Sequence, residues 1–353
     1  MAAPPDALLF LPAIAGLTAT IGLAYLVVRL ARRGASHLAR DRTHRLEGML
    51  RAYLDRGHDE AALERAAREV DEQSFWAALE SLAAGPSLAP RRRLGALLRR
   101  NPHALAERRA LRDDSPWRRE LAARRLGLVA TQASRRALRR GMVRGPEPVT
   151  LAAALALARL RDRSALRWVL AHPGSFARRT PRARVALLRA FGRGALPVVA
   201  EVLEKGASDA RMERAMIETI GLGGLRAAAP AIERRLAAED VDVRVAAVRA
   251  LGRLKSAGFA PALVARLADP EWAVRAQAAR ALGLAGDATA VEPLASCLTD
   301  RAWWVRRHAA YALLALGEAG MRALRGAAAA SPDPYARDIA SEALGGGFPR
   351  HAA

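Results

Sequence analysis

The feature that most constrains the fold is an internal repeat of 31 residues in the C-terminal half of the chain. Closely similar blocks occupy residues 243–252 (VRVAAVRALG), 274–283 (VRAQAARALG) and 305–314 (VRRHAAYALL). A fixed period of this length is typical of stacked supersecondary units, each of which is too small to bury its own apolar face. The sequence therefore predicts a solenoid in which neighbouring repeats supply one another's core.

Each repeat is expected to contain two helices, of which the second has the clearer pattern. In the block that starts at Val274, apolar residues recur at Ala278, Ala281 and Leu282, along one helical stripe. The first three repeats match this pattern poorly. The sequence predicts about eight second helices, near residues 116–129, 148–161, 181–193, 210–222, 241–254, 271–285, 302–316 and 334–345.

Breaker residues set the expected limits of these helices. A polar residue followed by proline is suited to cap a helix and to begin its first turn, and such pairs occur at Ser115-Pro116, Thr180-Pro181, Asp269-Pro270 and Asp333-Pro334. Glycine readily takes a positive φ at a helix end, which predicts that the second helices end at Gly252, Gly283, Gly317 and Gly345.

The repeated residues resemble HEAT repeats, in particular the short HEAT-like repeats found in phycobilisome lyase subunits. The pattern D-P-x-x-x-V-R-x-x-A-x-x-A-L-G is matched in full at residues 269–283, and residues 300–314 lack only the proline and the final glycine. The resemblance is specific for residues 209–345 and weak before them. It implies an all-α fold, a superhelical α-solenoid of about eight HEAT-like hairpins whose second helices line the concave face.

The same resemblance assigns structural roles to two acidic and two basic residues. In that family, the Asp of the pattern and the Arg six residues later commonly form a ladder between adjacent repeats. Asp269 with Arg275, and Asp300 with Arg306, are the residues that match here.

The net charge of +22 comes almost wholly from arginine. Two explanations stay open: the arginines lie on solvated helix faces, or they form a surface for an anionic partner. Cys297 is the single cysteine, which excludes an intrachain disulfide framework and a cysteine-rich zinc cluster.

Residues 7–30 form an apolar run long enough to cross a bilayer as a helix. Arginines, including Arg32 and Arg33, follow the run, whereas Asp6 is the only charged side chain before it. By the positive-inside rule this predicts a single-pass inner-membrane protein with its N-terminus outside and its C-terminal solenoid in the cytoplasm. A cleaved signal peptide is the alternative.

The organisation expected from these features is a tail at residues 1–6, a transmembrane helix at 7–30 and a juxtamembrane helical cap at 31–89. The solenoid then occupies 90–345, with degraded basic repeats at 90–208 and clear repeats at 209–345, before a tail at 346–353. A binding site for a partner helix is the alternative role of the cap.

Residues 90–144 contain 17 arginines against four acidic residues. Arginines close to an anionic leaflet gain roughly 1 kcal/mol each, which predicts contact with an anionic lipid surface. The candidates are Arg32, Arg33, Arg91, Arg92, Arg93, Arg99 and Arg100. Binding of nucleic-acid phosphates is the alternative, although Trp117 is the only obvious aromatic residue available for base stacking.

Motifs for chemistry are missing from the sequence. It has no phosphate-binding glycine loop, no HExxH, no His-Glu dipeptide and no GxSxG elbow, and its seven histidines are scattered. We therefore expect no catalytic residue, no metal site and no cofactor.

Aromatic residues at the start of successive second helices are the candidates for partner binding. Trp272 and Trp303 are one repeat apart, and so are Trp304 and Tyr335. Aromatic and arginine side chains dominate interface hot spots, although packing between repeats is the alternative role. Arg249 and Arg280, also one repeat apart, are the candidates for contacts on the concave face.

These features predict a membrane-anchored scaffold that binds a protein partner, itself membrane-associated, at the cytoplasmic face. The alternative is an enzyme-like role: a chromophore-attaching lyase, as the repeat family implies, or a HEAT-like glycosylase that binds DNA through the arginine-rich surface.

Overall fold

The computed structural model describes residues 40–55, 59–83, 91–206, 209–255 and 257–345. Within these ranges the regular structure is helical, and no strand occurs. The chain divides into two compact units, Met1–Gly141 and Met142–Ala353. The finer limits expected at residues 31–89, 90–208 and 209–345 remain a prediction.

Unit 1 is an array of short helices around one apolar core. Its helices are α1 (residues 40–55), α2 (Glu60–Glu69), α3 (Glu72–Ala83), α4 (Arg91–Leu97), α5 (Pro102–Ala110), α6 (Pro116–Leu126) and α7 (Gln132–Arg144), the last of which contains the boundary with unit 2. Leu50, Phe75 and Trp76 are fully buried in the same cluster as Leu98 and Val129. The helices of the expected cap therefore share a core with the first basic repeats.

Unit 2 consists of paired helices, and in every pair from α11 to α18 a shorter first helix is followed by a longer second helix. The pairing is clearest from α11 onward, and α13, α15 and α17 each continue as a 3-10 turn. The helices are α8 (Glu147–Arg159), α9 (Arg163–Ala171), α10 (Pro181–Ala190), α11 (Leu196–Lys205), α12 (Ala210–Gly223), α13 (Ala229–Glu233), α14 (Val241–Leu254), α15 (Ala260–Ala265), α16 (Trp272–Ala285), α17 (Val291–Ser296), α18 (Trp303–Ala315), α19 (Glu318–Ala330) and α20 (Pro334–Leu344).

The second helices lie close to their predicted positions, and three of the four predicted N-caps are confirmed. The side chains of Ser115, Thr180 and Asp333 each accept a hydrogen bond from a backbone N–H in the first turn of their helix. The prediction for Asp269 is wrong. Helix α16 begins only at Trp272, and the carboxylate of Asp269 accepts a hydrogen bond from the N–H of Glu271, ahead of the helix, and also binds Arg244, as described below.

The prediction that Gly252 and Gly283 end second helices is also wrong, because both lie inside their helices. A Cβ atom at Gly252 would lie 2.8 Å from the Cβ of Ala281, and one at Gly283 would lie 2.8 Å from the Cα of Ala312. These glycines therefore let neighbouring second helices approach closely. Helix α16 instead ends at Gly286, which has φ 75°.

Close packing through small residues joins neighbouring second helices. Gly221, Gly252 and Gly283 each lie against an alanine of the next second helix, Ala250, Ala281 and Ala312 respectively. The solvent-exposed faces of neighbouring second helices therefore adjoin one another.

The predicted membrane topology is not supported. The apolar run at residues 7–30 lies outside the described residues. Across the ranges that the structure describes, no helix is both long enough and apolar enough to cross a membrane. This finding contradicts the predicted single-pass localisation, which we withdraw.

Candidate partner-binding surface on the second helices

A buried ladder of ion pairs joins consecutive repeats of unit 2. Arg275 donates two hydrogen bonds to Asp300 of the next repeat, at 2.8 and 3.0 Å. Arg244 binds Asp269 in the same way, at 3.0 and 3.1 Å. These pairs are at most 13% exposed, so they are not accessible to a partner.

The same arginines fix the turn before each second helix. At four successive repeats the guanidinium donates to the backbone carbonyls six and five residues earlier, so that each arginine ties its helix to the end of the preceding one. The four residues are Arg244, Arg275, Arg306 and Arg337.

The ladder changes at both ends of the clear repeats. The repeat before Arg244 carries Glu213 at the arginine position, and this glutamate accepts a hydrogen bond from Arg235 at 2.9 Å. At the other end, Ser331 stands where the next aspartate would be. Arg306 therefore has no carboxylate from the following repeat, and its buried Nε has no hydrogen-bond partner among the described residues.

The four aromatic candidates lie at the surface. The exposed fraction is 48% for Trp272, 44% for Trp303, 49% for Trp304 and 63% for Tyr335. All four occupy the first turns of α16, α18 and α20. We call these four residues the aromatic edge.

Neighbouring side chains hold the aromatic edge in place. The rings of Trp303 and Trp304 meet edge to face, with 4.6 Å between their centroids. Arg307 stacks on Trp303, with its guanidinium carbon 5.0 Å from the ring centroid, and Arg306 lies at the same distance from Tyr335. These contacts preorganise the rings, which lowers the entropy that a partner would lose on binding them.

A row of polar residues continues the aromatic edge across the second helices. Its members recur at the repeat spacing along the second helices, and each is half-buried or exposed. They are Glu218, Arg249, Arg280, Tyr311 and Glu342. We call this row, together with Arg253, Arg307, His308 and the aromatic edge, the second-helix surface.

Carboxylates occupy both ends of this row. Glu218 pairs with Arg214 at 3.3 Å and with Arg249 at 3.7 Å. At the other end, Glu342 accepts hydrogen bonds from Arg307 at 3.0 Å and from Tyr311 at 3.1 Å.

Positive charge accumulates between these ends. Partial burial lowers the pKa of the Arg253 guanidinium, and the charges of Arg249 and Arg280 lower it further, while Glu218 opposes them. Burial likewise lowers the pKa of His308, with added repulsion from Arg280 and Arg307. The electrostatic potential at the centre of the second-helix surface is thus positive, which favours binding of an anion.

The described residues offer little for catalysis or metal binding. Across the described ranges, no group of three or more His, Cys, Asp or Glu residues is placed to hold a metal ion. Burial raises the pKa of the Cys297 thiol to about 11, so the reactive thiolate is scarce at neutral pH.

The basic segment of unit 1 is partly neutralised by internal ion pairs. The buried carboxylate of Glu107 binds both Arg118, at 2.5 Å, and Arg125, at 2.7 Å. Arg99 and Arg100 are exposed. Of the other lipid candidates, Arg32 and Arg33 lie outside the described residues, and for Arg91, Arg92 and Arg93 only the backbone, in α4, is described.

Sequence analysis missed Arg253, Arg307 and His308 as members of the surface. Arg253 lies one helical turn after Arg249, and this spacing was a usable signal. His308 lies one turn after Trp304 and stacks on its ring. The role of Arg244 in the ladder was also missed, although it occupies the same repeat position as Arg275.

No curated protein matches the chain. Among solved structures, an engineered protein is 18% identical, with 85% of this chain and 87% of that one covered and a TM-score of 0.39. Human deoxyhypusine hydroxylase in complex with glycerol is 18% identical, with coverage of 77% and 96% and a TM-score of 0.33. The complex of CpcE and CpcF of phycocyanin lyase from Nostoc sp. is 22% identical, with coverage of 74% and 96% and a TM-score of 0.30.

The match to a sequence family agrees with the geometry of unit 2. The family described as HEAT repeats matches residues 196–270 and again residues 260–345. This span contains the ladder, the close glycine contacts and the second-helix surface. Residues 196–345 of this chain are therefore similar to HEAT repeats.

Proposed function

We propose that unit 2 is a scaffold that binds a protein partner on its second-helix surface. A HEAT-repeat architecture is suited to such a role, because stacked repeats present an extended surface that each repeat can vary independently. The observation that carries the proposal is the aromatic edge, four large rings that are exposed at consecutive repeats.

The energetics of the aromatic edge favour partner binding. A half-exposed tryptophan leaves roughly 100 Å² of largely apolar area in water, and burying it contributes about 2.5 kcal/mol before the costs of association. Trp303 and Trp304 adjoin each other, so one partner side chain can contact both. Tryptophan, tyrosine and arginine are also the residue types that are enriched in interface hot spots.

The test is photo-crosslinking in cells from a position beside the aromatic edge. Glu271 is exposed and directly precedes Trp272, so a photoreactive amino acid at this position reaches a bound partner. The tagged full-length protein is purified after irradiation, and the crosslinked species are identified by mass spectrometry. We expect one dominant protein that is lost in the Trp303→Ala, Trp304→Ala double variant.

The matched control is Trp117→Ala. Trp117 is 69% exposed but lies in unit 1, so its removal deletes an exposed tryptophan without touching the second-helix surface. Circular dichroism melts establish that all variants are folded. If the double variant captures the same protein as the control does, the aromatic edge is not the binding surface.

A further inference from the structure

The centre of the second-helix surface contains three arginines, Arg249, Arg253 and Arg280, which we call the arginine cluster. Arg249 pairs with Glu218. The side chains of Arg253 and Arg280 form no hydrogen bond or ion pair with any residue that the structure describes. Helices α16 and α18 contain no aspartate or glutamate at all, so their own sequences cannot neutralise the cluster.

The nearest carboxylates are already engaged. Glu218 is shared between Arg214 and Arg249, and Glu342 is bound by Arg307 and by the Tyr311 hydroxyl. Neither carboxylate is free to move toward Arg280. The fold therefore holds three cations on adjacent helices with one shared carboxylate among them.

Holding like charges together costs free energy, and the cluster shows the effect. Partial burial is the largest cause that lowers the pKa of Arg253, and the charges of Arg249 and Arg280 lower it further against the opposing charge of Glu218. An anion bound between Arg253 and Arg280 removes this repulsion and adds charge-assisted hydrogen bonds. An anionic ligand is thus the partner that this arrangement lacks.

The size of the positive patch restricts the anion. The cluster and Arg307 lie on α14, α16 and α18. Carboxylates flank this positive patch on both sides, Glu218 on α12 and Glu342 on α20. Helix spacings of about 10 Å give a patch roughly 20 Å across, which an extended peptide spans with about six residues. Beyond these helices the row continues with Glu218 and Glu342 and offers no further arginine, so a long polyanion such as a nucleic-acid strand would gain no additional contact from it.

We infer that the arginine cluster binds a short acidic segment of the protein partner, with carboxylates on Arg253 and Arg280 and an apolar side chain against Trp304. This inference rests on the proposed scaffold function and names the chemistry of the segment that the scaffold receives. The adjoining aromatic edge supplies apolar contacts that a free inorganic anion would not use.

The probe is a fluorescent peptide about 12 residues long, rich in glutamate and leucine, which is titrated with the full-length protein at moderate salt and followed by fluorescence anisotropy. We expect binding that weakens about tenfold in the Arg253→Gln, Arg280→Gln double variant. The control is Arg163→Gln, Arg322→Gln, which removes two exposed arginines from α9 and α19. It has the same net charge, and its affinity should stay within about twofold of the parent.

Three results overturn the inference. One is absence of any peptide binding tighter than about 1 mM. Another is an equal loss in both double variants, which would show that only the total charge matters. The third is tighter binding of a single-stranded DNA of matched length than of the peptide, with the same dependence on the cluster, which would assign the surface to nucleic acid.

The crosslinking experiment separates this inference from the proposed function. If the cluster variant still captures the dominant partner while the tryptophan variant loses it, the scaffold proposal stands and the acidic segment is refuted. If peptide binding depends on the cluster but no protein is captured from cells, the anion site stands and the scaffold proposal fails.

Discussion

Replacing Arg275 by methionine tests how much the buried ladder contributes to the stability of the repeats. Methionine keeps an apolar stem of similar length but cannot donate hydrogen bonds. The native guanidinium donates to both oxygens of Asp300, at 2.8 and 3.0 Å, and to the carbonyls of Asp269 and Pro270, at 2.9 and 3.0 Å. The Arg275 side chain is 7% exposed and that of Asp300 is 13% exposed.

The expected cost follows from what the substitution leaves behind. Asp300 retains a hydrogen bond from the N–H of Ala302, at 2.8 Å, but loses its counter-ion in a nearly buried position. Breaking a buried pair from one side costs about 3–5 kcal/mol. The Arg275→Met, Asp300→Asn double variant removes the stranded charge and should recover about half of this loss.

Arg306 provides an internal control for the carboxylate. It donates to the carbonyl of Asp300 at 2.8 Å, as Arg275 does to that of Asp269, but Ser331 replaces the aspartate of the next repeat. Arg306→Met removes the carbonyl bonds and the stacking on Tyr335 without stranding a carboxylate, and should cost about 1–2 kcal/mol.

The free energies of unfolding are measured by urea denaturation of the full-length protein, followed by far-UV circular dichroism. The slope against urea is compared between variants, since repeat arrays can unfold in parts. Equal losses for Arg275→Met and Arg306→Met would refute the reasoning, because the ladder carboxylate would then contribute nothing. Failure of Asp300→Asn to recover stability would refute the stranded-charge explanation.

Two further predictions concern the second helices and their surface. Gly252→Val places side-chain atoms against the next second helix and should lower stability by about 1–3 kcal/mol, whereas Gly326→Ala, with open space around the new Cβ, should raise it by up to about 1 kcal/mol in the same assay. Arg280→Gln removes a positive charge that lowers the pKa of His308, so that pKa should rise in an NMR titration, and an unchanged value would place Arg280 too far away to act on it.

The helical limits of the repeats follow from the sequence because they depend on local chemistry. A polar residue before proline favours a helix N-cap, and the caps at Thr180 and Asp333 form as expected. The period of 31 residues likewise predicts stacked hairpins, since a fixed period places equivalent residues at equivalent positions in every repeat.

Glycine and aspartate show where local chemistry is insufficient. Gly252 has the sequence context of a helix end, yet it lies inside α14 because the next helix packs against it. Asp269 has the context of an N-cap, yet helix α16 begins three residues later, and the carboxylate of Asp269 binds Arg244 of the preceding repeat as well as the N–H of Glu271. In both cases a contact between repeats is present that a linear pattern does not reveal.

The sequence by itself determined the all-helical solenoid, its period and the positions of the exposed aromatic residues. Only the tertiary structure decided that Arg253 lies close enough to Arg280 for their charges to interact, since the residues equivalent to Arg253 in the neighbouring repeats are leucines, Leu222 and Leu284. A repeat pattern identifies residues at equivalent positions in successive repeats. Charges also interact between positions that are not equivalent, so the electrostatic potential of the surface is set only when the helices are stacked.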